Sequence, residues 1–116
     1  MAKRASEKVR RAFYQSLPPS KNIAKRFKLT DASVIAIRAG ASVYGSQAQA
    51  LLVAAEVLSR LREPIKVPES LVAGNLVGMT YKLEPRTARL LDALKKQYGT
   101  ARRVMAACAY IISTAP

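Results

Sequence analysis

Two short segments place polar side chains two residues apart. Arg26 and Lys28 lie in AKRFKLT (residues 24–30), and Thr80 and Lys82 lie in GMTYKLE (residues 78–84). Successive side chains of an extended strand point to opposite faces. Arg26 and Lys28 therefore share one face, opposite Phe27 and Leu29. Thr80 and Lys82 likewise oppose Met79, Tyr81 and Leu83. Such rows offer hydrogen-bond donation and positive charge rather than bond making. The whole chain has the same bias: 20 Lys and Arg stand against 7 Asp and Glu in 116 residues, a net charge of +13. Self-repulsion on that scale disfavours compactness unless a polyanion is the partner, which points to nucleic acid or an anionic membrane. A ribosomal or chaperone-like role is the alternative.

Catalysis has little to work with. The chain has no histidine, so it has neither an imidazole base nor a His metal ligand. One cysteine cannot build a thiolate cluster or an internal disulfide, and it fits a reducing, cytoplasmic compartment. No two carboxylates stand three or four residues apart, so no acid–base dyad or oxygen-ligand set is formed on a helix. P-loop and dinucleotide fingerprints are absent. The chain reads as a non-enzyme that needs no cofactor or metal. No apolar run reaches the roughly 18 residues that a bilayer span needs.

The elements that position the two polar rows follow from periodicity. Residues 1–23 read as a basic arm with Lys3, Arg4, Lys8, Arg10, Arg11 and Lys21 against the single acid Glu7. Ala5, Val9, Ala12, Phe13 and Leu17 recur at near-helical spacing, and Pro18-Pro19 ends that pattern. The arm is read either as a solvated tail or as a phosphate-tracking extension that adds salt-dependent affinity, and these are compatible. Its Arg-rich, acid-poor character also has something of a transit peptide. From Asp31 to Tyr44, Val34, Ile37, Ala41 and Tyr44 mark a helix, with Thr30 or Asp31 as N-cap and Gly45 as its stop. Ser46 caps a second helix to about Leu61, apolar on most of its circumference and so central. Residues 62–77 carry two prolines and a glycine without sustained period and read as a linker, able to span roughly 50 Å. After the second alternating segment, Pro85 suits a first helical position. Thr87, Leu90, Leu91, Leu94 and Tyr98 then form an apolar face, and Gly99 closes it. Thr100 caps a last helix carrying Val104, Met105, Ala107, Cys108, Ile111 and Ile112.

The chain contains this unit twice. A shift of 54 residues aligns Phe27 to Leu58 with the second half without a gap: Lys28-Leu29 meets Lys82-Leu83, Tyr44-Gly45-Ser46 meets Tyr98-Gly99-Thr100, and Leu51 meets Met105. Gly40 meets Leu94, so the two copies do not pack identically. One copy alone leaves its strand unpaired and its last helix exposed. Two copies about a pseudo-two-fold axis pair the strands antiparallel and bury the two apolar helices against each other.

A strand, a helix, a glycine turn and a helix, with sixteen residues from Leu29 to Gly45 and from Leu83 to Gly99, resemble the ribbon-helix-helix family of MetJ, Arc and CopG type. Two units in one chain are similar to the VirC-type T-DNA-transfer members. The expected fold is mostly α with a small two-stranded antiparallel ribbon. Tandem ribbon-helix-helix repeats at 24–61 and 78–116 would form one compact intramolecular pseudo-dimer. The resemblance implies that the ribbon enters the major groove of double-stranded DNA and that Arg26, Lys28, Thr80 and Lys82 read base edges. Arg-Lys on one strand and Thr-Lys on the other imply a non-palindromic core site. It further implies that the N-terminal ends of the last helices bind backbone phosphates, through Ser46 and Gln47 and through Thr100 and Ala101. Arg102 and Arg103 would strengthen the second of these sites, where the first has Ala48 and Gln49. Helix capping alone also accounts for Ser46 and Thr100.

Sequence-specific duplex binding in transcriptional control, plasmid maintenance or a DNA-transfer complex is therefore expected. A transfer or partition protein is a candidate partner, and the monomer is the expected state. The alternative is a protein-interaction adaptor or antitoxin-like module with a basic nucleic-acid-binding tail. Single-strand binding would require exposed aromatic residues, and the chain has only two Phe, five Tyr and no Trp. Tyr44 and Tyr98, each beside a glycine, read as core residues with a wet hydroxyl. Cys108 reads as inert packing and Lys95-Lys96 as a solvated face. Glu84 reads as a cap or as a repulsive element beside the ribbon.

Overall fold

The computed structural model describes residues 22–114. β1 (Ile23–Thr30) leads into α1 (Asp31–Tyr44) and α2 (Gln47–Arg60). A short α3 (Glu69–Val72) precedes β2 (Leu76–Leu83), α4 (Pro85–Tyr98) and α5 (Ala101–Thr114). The chain is mostly helical, with one two-stranded antiparallel sheet. Among the described residues, no helix is long and apolar enough to cross a membrane.

Local chemistry sets these boundaries. Thr30 is the N-cap of α1, and its Oγ1 accepts from the Ser33 amide at 3.2 Å. Gly45 ends α1 at φ 98° and Gly99 ends α4 at φ 92°, in the left-handed region where a Cβ is strained. Each glycine amide donates back into its helix, to the Ala41 and Lys95 carbonyls at 2.9 and 2.8 Å. Pro85 opens α4 as a first-turn proline, which has no amide to leave unpaired. Glu84 stands at the N-cap position, where its carbonyl accepts from the Ala88 amide at 3.0 Å but its side chain makes no capping bond.

The helix bounds keep step with the sequence shift. α4 starts 54 residues after α1 (31 to 85), and α5 starts 54 after α2 (47 to 101). In the ribbon, Arg26 faces Thr80, also 54 apart, at the centre of a register that runs from Ile23–Leu83 to Thr30–Leu76. Leu29 and Leu83 are both fully buried, as are Leu51 and Met105. The core is the junction of α2 and α5, with the ribbon underside, α1 and α4 packed around it. Burying a side chain of this size contributes about 1.5–3 kcal/mol.

Residues 62–77 are more structured than a plain linker. Val72 is buried, and three hydroxyls pin the segment. The Tyr98 hydroxyl accepts from the Ile65 amide at 3.0 Å, while Thr30 Oγ1 and Ser33 Oγ donate to the Leu71 carbonyl at 2.7 and 3.0 Å. Gly74 turns the chain at φ 131°. β2 begins at Leu76, two residues before the alternating segment read from the sequence, because Leu29 and Thr30 offer pairing partners to Val77 and Leu76. That pairing needs the opposite strand, which a local pattern does not contain.

Candidate nucleic-acid interface

The ribbon sorts its side chains by alternation. Phe27, Leu29, Met79, Tyr81 and Leu83 turn toward the helices and are buried or half-buried. Arg26, Lys28, Thr80 and Lys82 are all exposed. The pairs Ala24–Lys82, Arg26–Thr80 and Lys28–Gly78 make up the outer face. Arg26 lies diagonally across that face. Its Nη2 is 2.8 Å from where a Cβ on Gly78 would stand. The glycine thus gives the guanidinium a seat on the opposite strand, a role that alternation in the sequence does not reveal. Among the described residues, none of Arg26, Lys28 and Lys82 is in an ion pair.

An aromatic pair stiffens the underside. The Phe27 and Tyr81 rings are 6.3 Å apart at 44°, within the range of a favourable aromatic contact. The Tyr81 hydroxyl is buried without a hydrogen-bond partner among the described residues. Burial raises its pKa, and the nearby Arg38 charge partly offsets this.

Both last-helix N-termini carry the expected caps. Ser46 Oγ accepts from the Gln49 amide at 3.0 Å, and Thr100 Oγ1 accepts from the Arg103 amide at 3.2 Å. The first-turn amides of Gln47 and Ala48, and of Ala101 and Arg102, precede the first intrahelical bonds and keep their donors. Each end borders a cleft beside the ribbon. One, of about 180 Å³, brings Ala101 together with Lys25, Arg26, Asp92 and Lys95. The other, of about 200 Å³, brings Ser46 and Gln49 together with Lys82, Glu84 and Thr87. Arg102 and Arg103 are exposed beside the first cleft's helix end.

Lys25 escapes the sequence reading because it stands on the apolar side of the alternation. It leans to the flank, where its Nζ is 3.7 Å from the Asp92 carboxylate. Lys95, read as a solvated face, lines the same cleft. No local signal reveals either, since both depend on α4 and α5 meeting β1. Glu84 lowers the positive character of the other cleft. Lys3, Arg4, Lys8, Arg10 and Arg11 lie outside the described residues. Cys108 is fully buried, and burial pushes its thiol up to about 12. Tyr98 is buried with its hydroxyl bonded, whereas Tyr44 is half-buried.

No protein-family model, curated protein or solved structure matches this chain.

Proposed function

We propose that this chain is a sequence-specific double-stranded DNA-binding protein of ribbon-helix-helix type, with two units in one chain related by a pseudo-two-fold axis through the Arg26–Thr80 pair. The exposed, unpaired row of Arg26, Lys28, Thr80 and Lys82 on one ribbon face carries the reading. A two-stranded ribbon fits the major groove, where Arg and Lys donate to guanine O6 and N7, and Thr contacts either a polar edge or a thymine methyl. The outer face is not the same under exchange of the strands: Lys28 meets Gly78 where Lys82 meets Ala24. The core site is therefore non-palindromic. First-turn amides of α2 and α5 hold the flanking phosphates, aided by Lys25 and Lys95 on one side and Lys82 on the other. The basic arm adds sequence-independent affinity. Repression, plasmid maintenance and DNA transfer are all compatible settings.

Selection from random-sequence duplexes tests this. An enriched asymmetric motif, abolished by Arg26→Ala or Lys82→Ala, is expected. Absence of any motif, with binding unchanged in those variants, sinks the proposal.

A second reading, a protein-interaction adaptor, is favoured by α1. Ile35 and Val43 are 65 % and 67 % exposed, and Ala32 and Ala39 continue their stripe. The matching positions on α4 are Arg86, Arg89, Ala93 and Gln97. Ile35→Lys with Val43→Lys leaves duplex selection unchanged if α1 serves only a protein partner.

A further inference from the structure

α1 turns side chains of alternating size toward solvent. Ala32, Ile35, Ala39 and Val43 lie along one exposed stripe, with Ile35 and Val43 65 % and 67 % exposed. Read along the helix, the order is small, large, small, large. Ser42 borders the stripe, and its Oγ donates to the Ala39 carbonyl of its own helix at 2.9 Å. That donor is satisfied before anything covers the stripe.

Charge narrows what can cover it. The chain carries +13, yet α1 holds a single acid and a single base, Asp31 and Arg38. The matching face of α4 has exposed Arg86, Arg89 and Lys96 where α1 has Ala32, Ile35 and Ser42. Two copies meeting through α4 would set arginine against arginine. Through α1 they meet with Arg38, at the edge of the stripe, as the main like charge between them.

We propose that α1 is the contact face for a second copy of this chain, paired antiparallel. Reversal turns the order of sizes into its own complement. Ile35 packs over the partner's Ala39 and Val43 over the partner's Ala32, and two-fold symmetry makes each contact twice. Both pairings share one register to within a residue, about 1.5 Å along the axis. Parallel pairing would instead set Ile35 on Ile35 and Ala39 on Ala39, with gaps between the bulges. Because α4 lacks the stripe, the contact closes at two copies rather than growing into a filament. Two large side chains and two alanines from each copy make a contact smaller than the roughly 1,200–2,000 Å² of a stable interface. The pair is therefore weak, and the chain is monomeric when dilute. One consequence rests on the DNA reading above: a two-fold pair carries two ribbons in opposite orientation, so two asymmetric core sites would be bound as an inverted repeat.

Sedimentation equilibrium on the full chain without nucleic acid, from roughly 10 µM to 1 mM, tests the pairing apart from any DNA reading. The mass is expected to rise reversibly from one chain toward two and to stop there. Ile35→Lys with Val43→Lys should weaken association at least about tenfold, as loss of anchor residues does, with thermal unfolding unchanged. Ala39→Ile separates fitted packing from general stickiness. It adds apolar surface but fills the space that the partner's Ile35 needs, so association should fall there too. A single-chain mass over the whole range would overturn the proposal and leave the stripe to a different protein. Growth past two chains, or stronger association in Ala39→Ile, would overturn it as well. A chain that pairs in this way but selects no duplex would count against the DNA reading alone.

Discussion

The Arg26 guanidinium occupies the space that a side chain at position 78 would need, with Nε and Nη2 at 3.2 and 2.8 Å from the Cβ site of Gly78. An exposed arginine thereby gains a defined orientation on the outer face of the ribbon without an ion pair. Gly78→Ala is expected to displace the guanidinium. The backbone there needs no left-handed φ, so stability holds or rises, by up to about 1 kcal/mol for removing a strand glycine. Duplex affinity changes in the Arg26 chain and not in the Arg26→Ala chain, a coupling that a double-mutant cycle measures.

Arg26→Ala and Lys82→Ala should each cost about 1–3 kcal/mol of specific binding and relax selectivity at different base positions. Replacing Lys3, Arg4, Lys8, Arg10 and Arg11 by Ala should instead weaken all duplexes alike. The salt slope should fall by up to roughly 0.9 for each phosphate that is no longer neutralised. Titrations at several salt concentrations separate the two classes.

Gly40 and Ile112 interlock where α1 crosses α5. A Cβ at position 40 would stand 2.5 Å from Ile112 Cγ2 and 3.2 Å from the Ala50 Cβ. Overpacking costs about 1–3 kcal/mol against a helix-propensity gain of about 1 kcal/mol. Gly40→Ala should therefore destabilise the chain by about 1 kcal/mol net in urea unfolding. Ile112→Leu, which moves the branch away from Cβ, should recover part of that loss.

Tyr98→Phe removes the acceptor of the Ile65 amide. A loss of about 0.5–1.5 kcal/mol is expected, with faster exchange of the Ile65 amide. An unchanged Ile65 rate would mean that the hydroxyl does not hold the segment.

Cys108 links stability to high pH. Burial raises its thiol from 9.0 to about 12 in the folded chain. Above pH 9 the unfolded chain releases this proton while the folded chain keeps it, so stability falls as pH rises toward 12, by up to ~1.4 kcal/mol per unit. Below pH 9 the thiol is neutral in both states and contributes no slope. Cys108→Ala should flatten this part of the profile, measured as the difference between the two chains in denaturant midpoints from pH 8 to 11.

Much of this architecture was written locally. Alternation in residues 24–30 and 78–84 separated Arg26, Lys28, Thr80 and Lys82 from the apolar side, because strand geometry alone dictates which residues share a face. Gly45, Gly99, Ser46 and Thr100 marked the turns, since left-handed backbone and helix caps each demand particular residue types. The 54-residue shift was also legible in the sequence. Tertiary structure alone decided where distant segments meet. Gly78 became a seat for Arg26 only through the strand register. Lys25 and Lys95 joined one cleft only because α4 and α5 pack beside β1. Residues 62–77 proved to be pinned through Thr30, Ser33 and Tyr98, across separations of 33 to 41 residues in sequence. Periodicity reports which face of an element is apolar, but not which neighbour covers it. Placing those neighbours requires the chain to have closed on itself.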